Sequence, residues 1–185
     1  GLEPWSVLQQ GMSLRTGMTY GTASAIAGAA AILTAVLFGE SFGIGTIINI
    51  AGCAVIIDAI QAAHLIPQMH GLVSGIAMLI GGLELLALGT WLYMKSALGS
   101  GPRDALMVAL ARKFGRSAGA CRAVVDVLVT VIGFFLGGPV GIGTIISAVG
   151  LGPLINLNFA AVRFKPAEVH QENVAETIAR ISGKR

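Results

Sequence analysis

Carboxyl groups inside otherwise apolar stretches are the first residues of this chain whose chemistry needs an explanation. Glu84 lies near the middle of the apolar run 71–94, and Asp58 lies in the run 43–63. An ionised carboxyl in hydrocarbon is costly, so each must be protonated, paired or facing a polar cavity. Glu84 therefore has two interpretations. It is either a group that couples proton or cation movement, or a structural carboxyl that hydrogen-bonds a neighbouring helix.

Two further polar groups are candidates for binding or coupling. Arg122 and Asp126 are four residues apart, so they share a helix face and can pair. The pair could bind a solute or gate its passage. Alternatively, Arg122 could extend to the membrane interface and merely neutralise the charge of Asp126. Asp58 aligns with Asn156 in the internal repeat described below. Both could line a site at equivalent depths, or Asp58 could lie close to the outer interface.

Two short segments, 4–14 and 102–114, begin with a proline that suits the first turn of a helix. Neither is long or apolar enough to span a bilayer. As half-helices, they would point positive N-terminal ends at an anionic group. Arg103 and Asp104 would then be candidate binding residues, with Trp5 at the position equivalent to Arg103. The alternative is a pair of amphipathic helices that lie at the interface and bind nothing.

These residues must be positioned by a membrane-embedded scaffold. The 185 residues are 55% hydrophobic and 11% charged, whereas soluble domains carry about a quarter charged residues. This excludes a water-soluble globular enzyme and a disordered chain. The runs 22–39, 43–63, 71–94 and 141–162 are each long enough to cross as a helix. A fifth span must begin near residue 119, because the ten apolar residues 127–136 cannot cross alone.

The sequence contains an internal repeat, because a shift of 98 residues aligns it with itself without a gap. Pro4 falls on Pro102, and an identical block of six residues, 43–48, falls on 141–146. The shared block predicts tight turns capped by threonine hydroxyls, or close helix packing. It lacks the lysine of a phosphate-binding loop. The turn and packing residues are Pro4, Pro102, Gly43, Gly45, Thr46, Gly141, Gly143 and Thr144.

The repeat predicts an all-α, polytopic membrane bundle of two units, repeat one at 1–63 and repeat two at 71–162. Each unit would hold about three spans plus one short helix, and the first span of repeat one is expected to precede Gly1. Three spans is an odd number, so the two units should have inverted topology. Basic residues cluster at 95–122 and again in a tail, 163–185, which predicts that both are cytoplasmic.

Three motifs in combination resemble the YczE/YyaS/YitT group of bacterial multi-pass membrane proteins, and most closely its YczE branch. They are Gly1-x-x-Pro4-Trp5-Ser6-Val7-Leu8, Gly43-Ile44-Gly45-Thr46 and Gly99-x-Gly101-Pro102-Arg103-Asp104. The resemblance covers about residues 1–159. It implies an integral protein of the bacterial inner membrane, of a kind often described as a presumed permease. It implies no particular substrate and no catalytic residues.

The predicted function is transport of an unidentified small solute through a polar pocket between the repeats. The alternative is a non-transporting membrane subunit that assembles with other membrane proteins through its glycine-rich faces. An enzyme is not expected, because the sequence shows no nucleophile–base pair, metal-ligand cluster or cofactor motif. We therefore expect no metal, cofactor or nucleic acid. The expected partners are the lipid bilayer and a homo-oligomer or membrane complex.

Overall fold

The computed structural model describes residues 1–67, 69, 71–116, 118–164, 169 and 172–182, and the regular elements among them are all α-helices. This confirms the predicted all-helical fold. The helices are α1 (Pro4–Thr16), α2 (Tyr20–Leu37), α3 (Ile44–Ala62), α4 (Leu72–Lys95), α5 (Pro102–Phe114), α6 (Ala118–Phe135), α7 (Ile142–Ala161) and α8 (Val174–Ile181).

Four of these helices, α2, α3, α4 and α7, are long and apolar enough to cross a membrane. They correspond to the four runs that the sequence predicted. The predicted fifth span corresponds to α6, which begins one residue before the predicted start and carries Arg122 and Asp126 within its 18 residues. That α6 spans the bilayer stays a prediction.

The short helices α1 and α5 have the same length for the same local reasons. Each has proline as its first residue, where a missing N–H costs nothing, and each ends at a glycine in the left-handed conformation. Gly17 has φ 75° and Gly115 has φ 61°. The chain therefore turns sharply after 13 residues in both repeats.

The identical blocks at the starts of α3 and α7 form matching caps. The Gly43 N–H donates to Thr46 Oγ1 at 3.4 Å, and the Gly141 N–H donates to Thr144 Oγ1 at 3.3 Å. Both threonine side chains are buried. Each block also packs against the turn that precedes a short helix, since Gly43 lies beside Gly99 and Gly141 lies beside Gly1.

The core lies where α2 packs along α5 and α1 packs along α6. Ala35 of α2 and Ala109 of α5 are completely buried in one cluster. At the equivalent positions of the other pair, Gly11 of α1 meets Gly133 of α6 so closely that an added Cβ would lie 2.5 Å from a carbonyl oxygen. Small residues at both crossings let the helix backbones approach, as in other membrane bundles.

The short helix α1 begins inside the bundle. It starts beside the middle of α6, where the Trp5 indole N–H bonds Asp126, and it ends near the C-terminal end of α6. Its buried positions, Pro4, Trp5, Val7, Gln9 and Gly11, do not form a single apolar stripe. These contacts favour the half-helix interpretation over a helix lying at the interface.

The short helix α5 has the matching arrangement with α2. It starts beside the middle of α2, where an added Cβ on Gly28 would lie 3.6 Å from Pro102 Cγ. It ends beside the end of α2, where the rings of Phe114 and Phe38 stand edge to face with centroids 6.4 Å apart. Both short helices therefore begin halfway along a long helix and run to its end.

The described part of the tail contacts the end of the bundle at which α4 ends and α3 begins. The Glu172 N–H donates to the Ala97 carbonyl at 2.8 Å, and the Val174 N–H donates to the Phe42 carbonyl at 3.2 Å. Of the predicted tail, residues 165–168, 170–171 and 183–185 lie outside the described residues, and with them Lys165, Lys184 and Arg185. The domain limits and the cytoplasmic placement of the tail stay predictions.

Candidate solute-binding cavity

A cavity of about 480 Å³ lies among the helices at the starts of α1 and α5. Its wall includes four charged residues: Glu3, Arg103, Asp104 and Arg122. Neutral polar side chains also line it, from α1, α2, α3 and α4: Ser6, Gln9, Tyr20, Ser24, Asn49, Thr90 and Tyr93. The remaining wall is largely apolar. Cavities of this size are typical of small-molecule sites.

A connected set of polar contacts joins α1, α5 and α6 at one side of the cavity. Arg103 Nη1 donates to Glu3 Oε1 at 2.6 Å, and the Arg103 guanidinium lies 5.1 Å from the centre of the Trp5 ring. The Trp5 indole N–H donates to Asp126 Oδ1 at 3.1 Å. Asp126 also pairs with Arg122, whose Nε lies 3.6 Å from Oδ2. Each charge therefore has an opposite partner inside the bundle, which lowers the cost of burying it.

Asp104 has a different environment, because its side chain accepts a hydrogen bond from the Tyr93 hydroxyl of α4. Burial raises the pKa of this carboxyl to about 6, and the positive charge of Arg122 limits the rise. A carboxyl with such a pKa exchanges its proton near neutral pH. Asp104 is therefore suited to taking up and releasing a proton.

The N-termini of α1 and α5 face the cavity without a side-chain cap. Their N-cap residues, Glu3 and Gly101, provide no capping hydrogen bond within the described part of the chain. The first-turn N–H groups of a helix have no partner inside the helix and carry a partial positive charge. Two such ends at one cavity form a region that favours negative charge.

Three of the predicted site residues, Arg103, Asp104 and Arg122, line the cavity. Two more, Trp5 and Asp126, lie behind this wall, where Trp5 contacts Arg103 and Asp126 pairs with Arg122. Arg103 and Arg122 were also counted among basic residues at the cytoplasmic side. Their side chains lie at the cavity instead. Arg103 lies there because α5 begins beside the middle of α2, and Arg122 lies there because it belongs to the second turn of α6 and pairs with Asp126. The prediction that this side of the protein is cytoplasmic therefore depends on the other basic residues.

Three predicted residues lie elsewhere and do not line this cavity: Glu84, Asp58 and Asn156. Glu84 Oε1 accepts from Asn158 Nδ2 of α7 at 2.9 Å, which is the contact expected of a structural carboxyl. Asp58 accepts from the Thr19 hydroxyl at 2.6 Å and the Gly21 N–H at 2.7 Å, so it fastens the α1–α2 turn to α3. Asn156 is exposed.

Several wall residues were missed by sequence reasoning, notably Glu3, Gln9 and Tyr93. The repeat carried a signal for two others. Moving Arg122 and Asp104 back by 98 positions gives Ser24 and Ser6, which also line the cavity. No such signal existed for Gln9, whose equivalent in repeat two is a methionine. In the described residues, no cluster of three or more His, Cys, Asp or Glu could hold a metal ion.

Four helices are long and apolar enough to cross a membrane, and a relative bears the name of a membrane protein, so this chain is a multi-pass integral membrane protein. The chain belongs to DUF6198, described as a family of unknown function, whose model matches residues 1–159. A protein of Haemophilus influenzae called "Uncharacterized protein" is 34% identical over 155 residues, which are 84% of this chain and 70% of the relative. "Uncharacterized membrane protein YczE" of Bacillus subtilis is 28% identical over 173 residues, 88% of this chain and 80% of the relative. The predicted resemblance to the YczE group is thereby confirmed. No solved structure matches significantly.

Proposed function

We propose that this protein is a permease for a small solute and that the cavity at the starts of α1 and α5 is its binding site. The observation that carries the proposal is the polar, charged wall of a cavity of about 480 Å³ that lies between the helices of an apolar bundle and is partly open to the outside. Ionisable residues within membrane helices are expensive and mark solute or ion pathways more often than packing. A chain selected only for packing would have apolar residues at these positions.

The placement of the short helices supports the same function. Transporters built from inverted repeats bind their solutes where interrupted helices meet near the middle of the bilayer. Here the first residues of α1 and α5 meet through the Glu3–Arg103 pair. Contacts between equivalent positions support a pseudo-two-fold relation between the two repeats, since Gly43 meets Gly99 as Gly141 meets Gly1.

The alternative function, a non-transporting subunit, predicts a dry and closely packed interior. The polar cavity argues against it, because a purely structural bundle has no use for charged groups around a cavity between its helices. The small-residue face of α4 is open at Gly75 and Gly82, where an added Cβ would meet nothing within 4 Å. That face remains available for a partner in either case.

A matched pair of glycine substitutions in α4 tests the permease proposal. Gly89 lines the cavity and Gly82 does not, and both have open space around an added Cβ. Gly89→Phe should fill the cavity, whereas Gly82→Phe should add the same bulk at another position of the same helix. Both variants should fold, since replacing a helix glycine removes its conformational penalty.

The measurement is solute-driven swelling of proteoliposomes across a panel of small organic acids, amines, amides and polyols. Wild type and Gly82→Phe should admit at least one solute faster than empty liposomes, and Gly89→Phe should reduce that rate at least tenfold. Equal rates for the two variants would show that the cavity is not the route. A panel in which wild type admits nothing would favour the subunit alternative.

We also propose that the end of the bundle bearing Lys95 faces the cytoplasm of a bacterial cell, with the protein in the inner membrane. Lys95 ends α4, and the tail contacts this same end through Glu172 and Val174. Arg112, beside the end of α2, and Arg180 of α8 add positive charge there. In a background with Cys53 and Cys121 replaced by serine, cysteines introduced at positions 95 and 180 should both react with an impermeant thiol reagent from the cytoplasmic side only. Labelling of these cysteines from the outside would show that the protein has the opposite orientation in the membrane.

A further inference from the structure

The side chain of Gln9 points to a ligand, because it is buried and polar and has no hydrogen-bond partner among the residues that the structure describes. Gln9 lies on α1, lines the cavity and is only 3% exposed. Among the described residues its amide makes no hydrogen bond, and no completely buried side-chain N or O atom there lacks a partner, so the amide atoms of Gln9 must open onto the cavity. An amide can donate to an anion and accept from a donor, so a solute in the cavity would satisfy it.

The charges around Gln9 favour an anion. Arg103 is balanced by Glu3 and Arg122 by Asp126, so these four formal charges cancel. The two uncapped helix N-termini together add roughly one positive charge. Asp104 opposes that charge only when it is ionised. With a proton on Asp104, the site therefore has room for one negative charge.

The apolar part of the wall favours an organic solute over a bare inorganic ion. Leu85 and Leu86 of α4 line the cavity together with Leu151 and Ile155 of α7. These side chains would contact the hydrocarbon part of a solute and gain free energy as water leaves them. The solute that fits has a charged end near the helix starts and an apolar end beside α4 and α7.

We propose that the cavity binds a small organic carboxylate, with its charged end between the N-termini of α1 and α5 and within reach of Gln9, and that Asp104 takes up a proton when it binds. The proposal rests on the proposed function and names the solute class and the coupling proton of that site. The charges and protons of this step balance. One carboxylate and one H⁺ enter together, and no covalent bond is made or broken.

The pH dependence has a definite sign once every group facing Asp104 is counted. Arg103 and Arg122 favour its ionised form, Glu3 favours its neutral form, and the Tyr93 hydroxyl donates to it. The other titratable wall groups are Tyr20 of α2 and Cys53 of α3, while α7 contributes none to the described wall. A bound carboxylate disfavours ionised Asp104. Because the pKa of Asp104 is about 6, carboxylate affinity should fall by up to tenfold per pH unit above pH 6.

Binding can be measured through Trp5, which lies beside the cavity in contact with Arg103. The Trp91→Phe background leaves Trp5 as the only tryptophan. The probes are sodium butyrate, butyramide and butylammonium chloride, which share one chain and differ in charge. Butyrate should change the fluorescence of detergent-purified protein saturably, and the other two should not. Between pH 6 and pH 8 butyrate stays ionised, since aliphatic carboxyls titrate near pH 4–5.

Neighbouring glutamines provide the matched control. Gln9→Leu should weaken butyrate binding at least tenfold, and Gln10→Leu should leave it unchanged. Asp104→Asn should keep binding and remove its dependence on pH. If Gln9→Leu fails to give monodisperse protein, Gln9→Asn, which shortens the amide's reach, should show the same weakening.

The contrary outcomes are distinct. Saturable binding of butylammonium, equal effects of Gln9→Leu and Gln10→Leu, or no binding of butyrate would each overturn the carboxylate site. A pH dependence that survives in Asp104→Asn would overturn the coupling. Flux of another solute that Gly89→Phe blocks, without butyrate binding, would overturn this inference and leave the permease. Butyrate binding without flux of any solute would leave the site and overturn the permease.

Discussion

The Glu3–Arg103 ion pair gives the sharpest test of the claim that the short helices meet inside the bundle. The prediction is a large coupling energy in a double-mutant cycle of Glu3→Ala and Arg103→Ala. The free energy of unfolding would be measured in mixed detergent micelles. The reference is the Glu40–Arg112 pair, which joins the ends of α2 and α5 and has a far more exposed arginine.

The expected magnitude follows from distance and burial. At 2.6 Å and an effective dielectric constant of about 20, the Coulomb attraction of Glu3 and Arg103 is about 6 kcal/mol. The two side chains are 16% and 30% exposed, so much of this gain offsets lost hydration. A net coupling of about 2 kcal/mol remains, at the lower end of values for close, desolvated pairs. Arg112 is 57% exposed, and its pair with Glu40 should couple by only about 0.5 kcal/mol.

The salt dependence provides a second readout. High salt should remove the coupling of the exposed pair and leave most of that between Glu3 and Arg103, because screening acts mainly on solvated charges. Equal coupling energies for the two pairs, or equal sensitivity to salt, would refute the interior position of the α1 and α5 starts. The proposed cavity would then lose its charged wall.

Three more predictions concern single positions. Gly11→Ala should lower the free energy of unfolding by about 2 kcal/mol, because its Cβ would overlap a carbonyl oxygen of α6. Gly75→Ala, whose Cβ lies in open space, should raise the free energy of unfolding by up to about 1 kcal/mol. Equal effects of the two substitutions would contradict the close crossing of α1 and α6. In a Cys121→Ser background, the cavity-lining Cys53 should react with an impermeant thiol reagent in the folded protein, and its complete protection would show that water does not enter. Glu84→Gln keeps a hydrogen-bond acceptor for α7, so it should change unfolding by less than about 1 kcal/mol and leave transport intact; loss of transport would restore a coupling role to this residue.

Much of the helical framework could be predicted from the sequence because it depends on local rules. The start of α6 was predicted to within one residue from the length a helix needs to cross a bilayer. The starts of α1 and α5 followed from their prolines, and α5 ends at the predicted residue, whereas α1 runs two residues past the predicted end at 14. These features depend on residues within a few positions of each other, so one sequence is enough to recognise them.

The cavity could be predicted only in part, because it depends on contacts between distant segments. Glu84 is as costly in hydrocarbon as Asp126, and nothing in its own neighbourhood shows that Asn158 partners it. The pairing of Glu3 with Arg103 depends on how the two repeats face each other, which the repeat alone does not specify. Nothing in the sequence around Gln9 marked it as a binding residue, because only the packing of the helices places it at the cavity.

The separation in sequence between α1 and its partners has a consequence for biosynthesis. Glu3 lies 100 residues before Arg103, and Trp5 lies 121 residues before Asp126. At translation rates of about 5–20 residues per second, roughly 5–25 s pass between synthesis of α1 and synthesis of the residues that neutralise and hydrogen-bond it. During that interval α1 lacks the contacts that compensate for burying its polar groups. The short helix α1 should therefore enter the bundle late, after α5 and α6 have left the ribosome. A membrane chaperone would act at this step, by preventing α1 from packing wrongly.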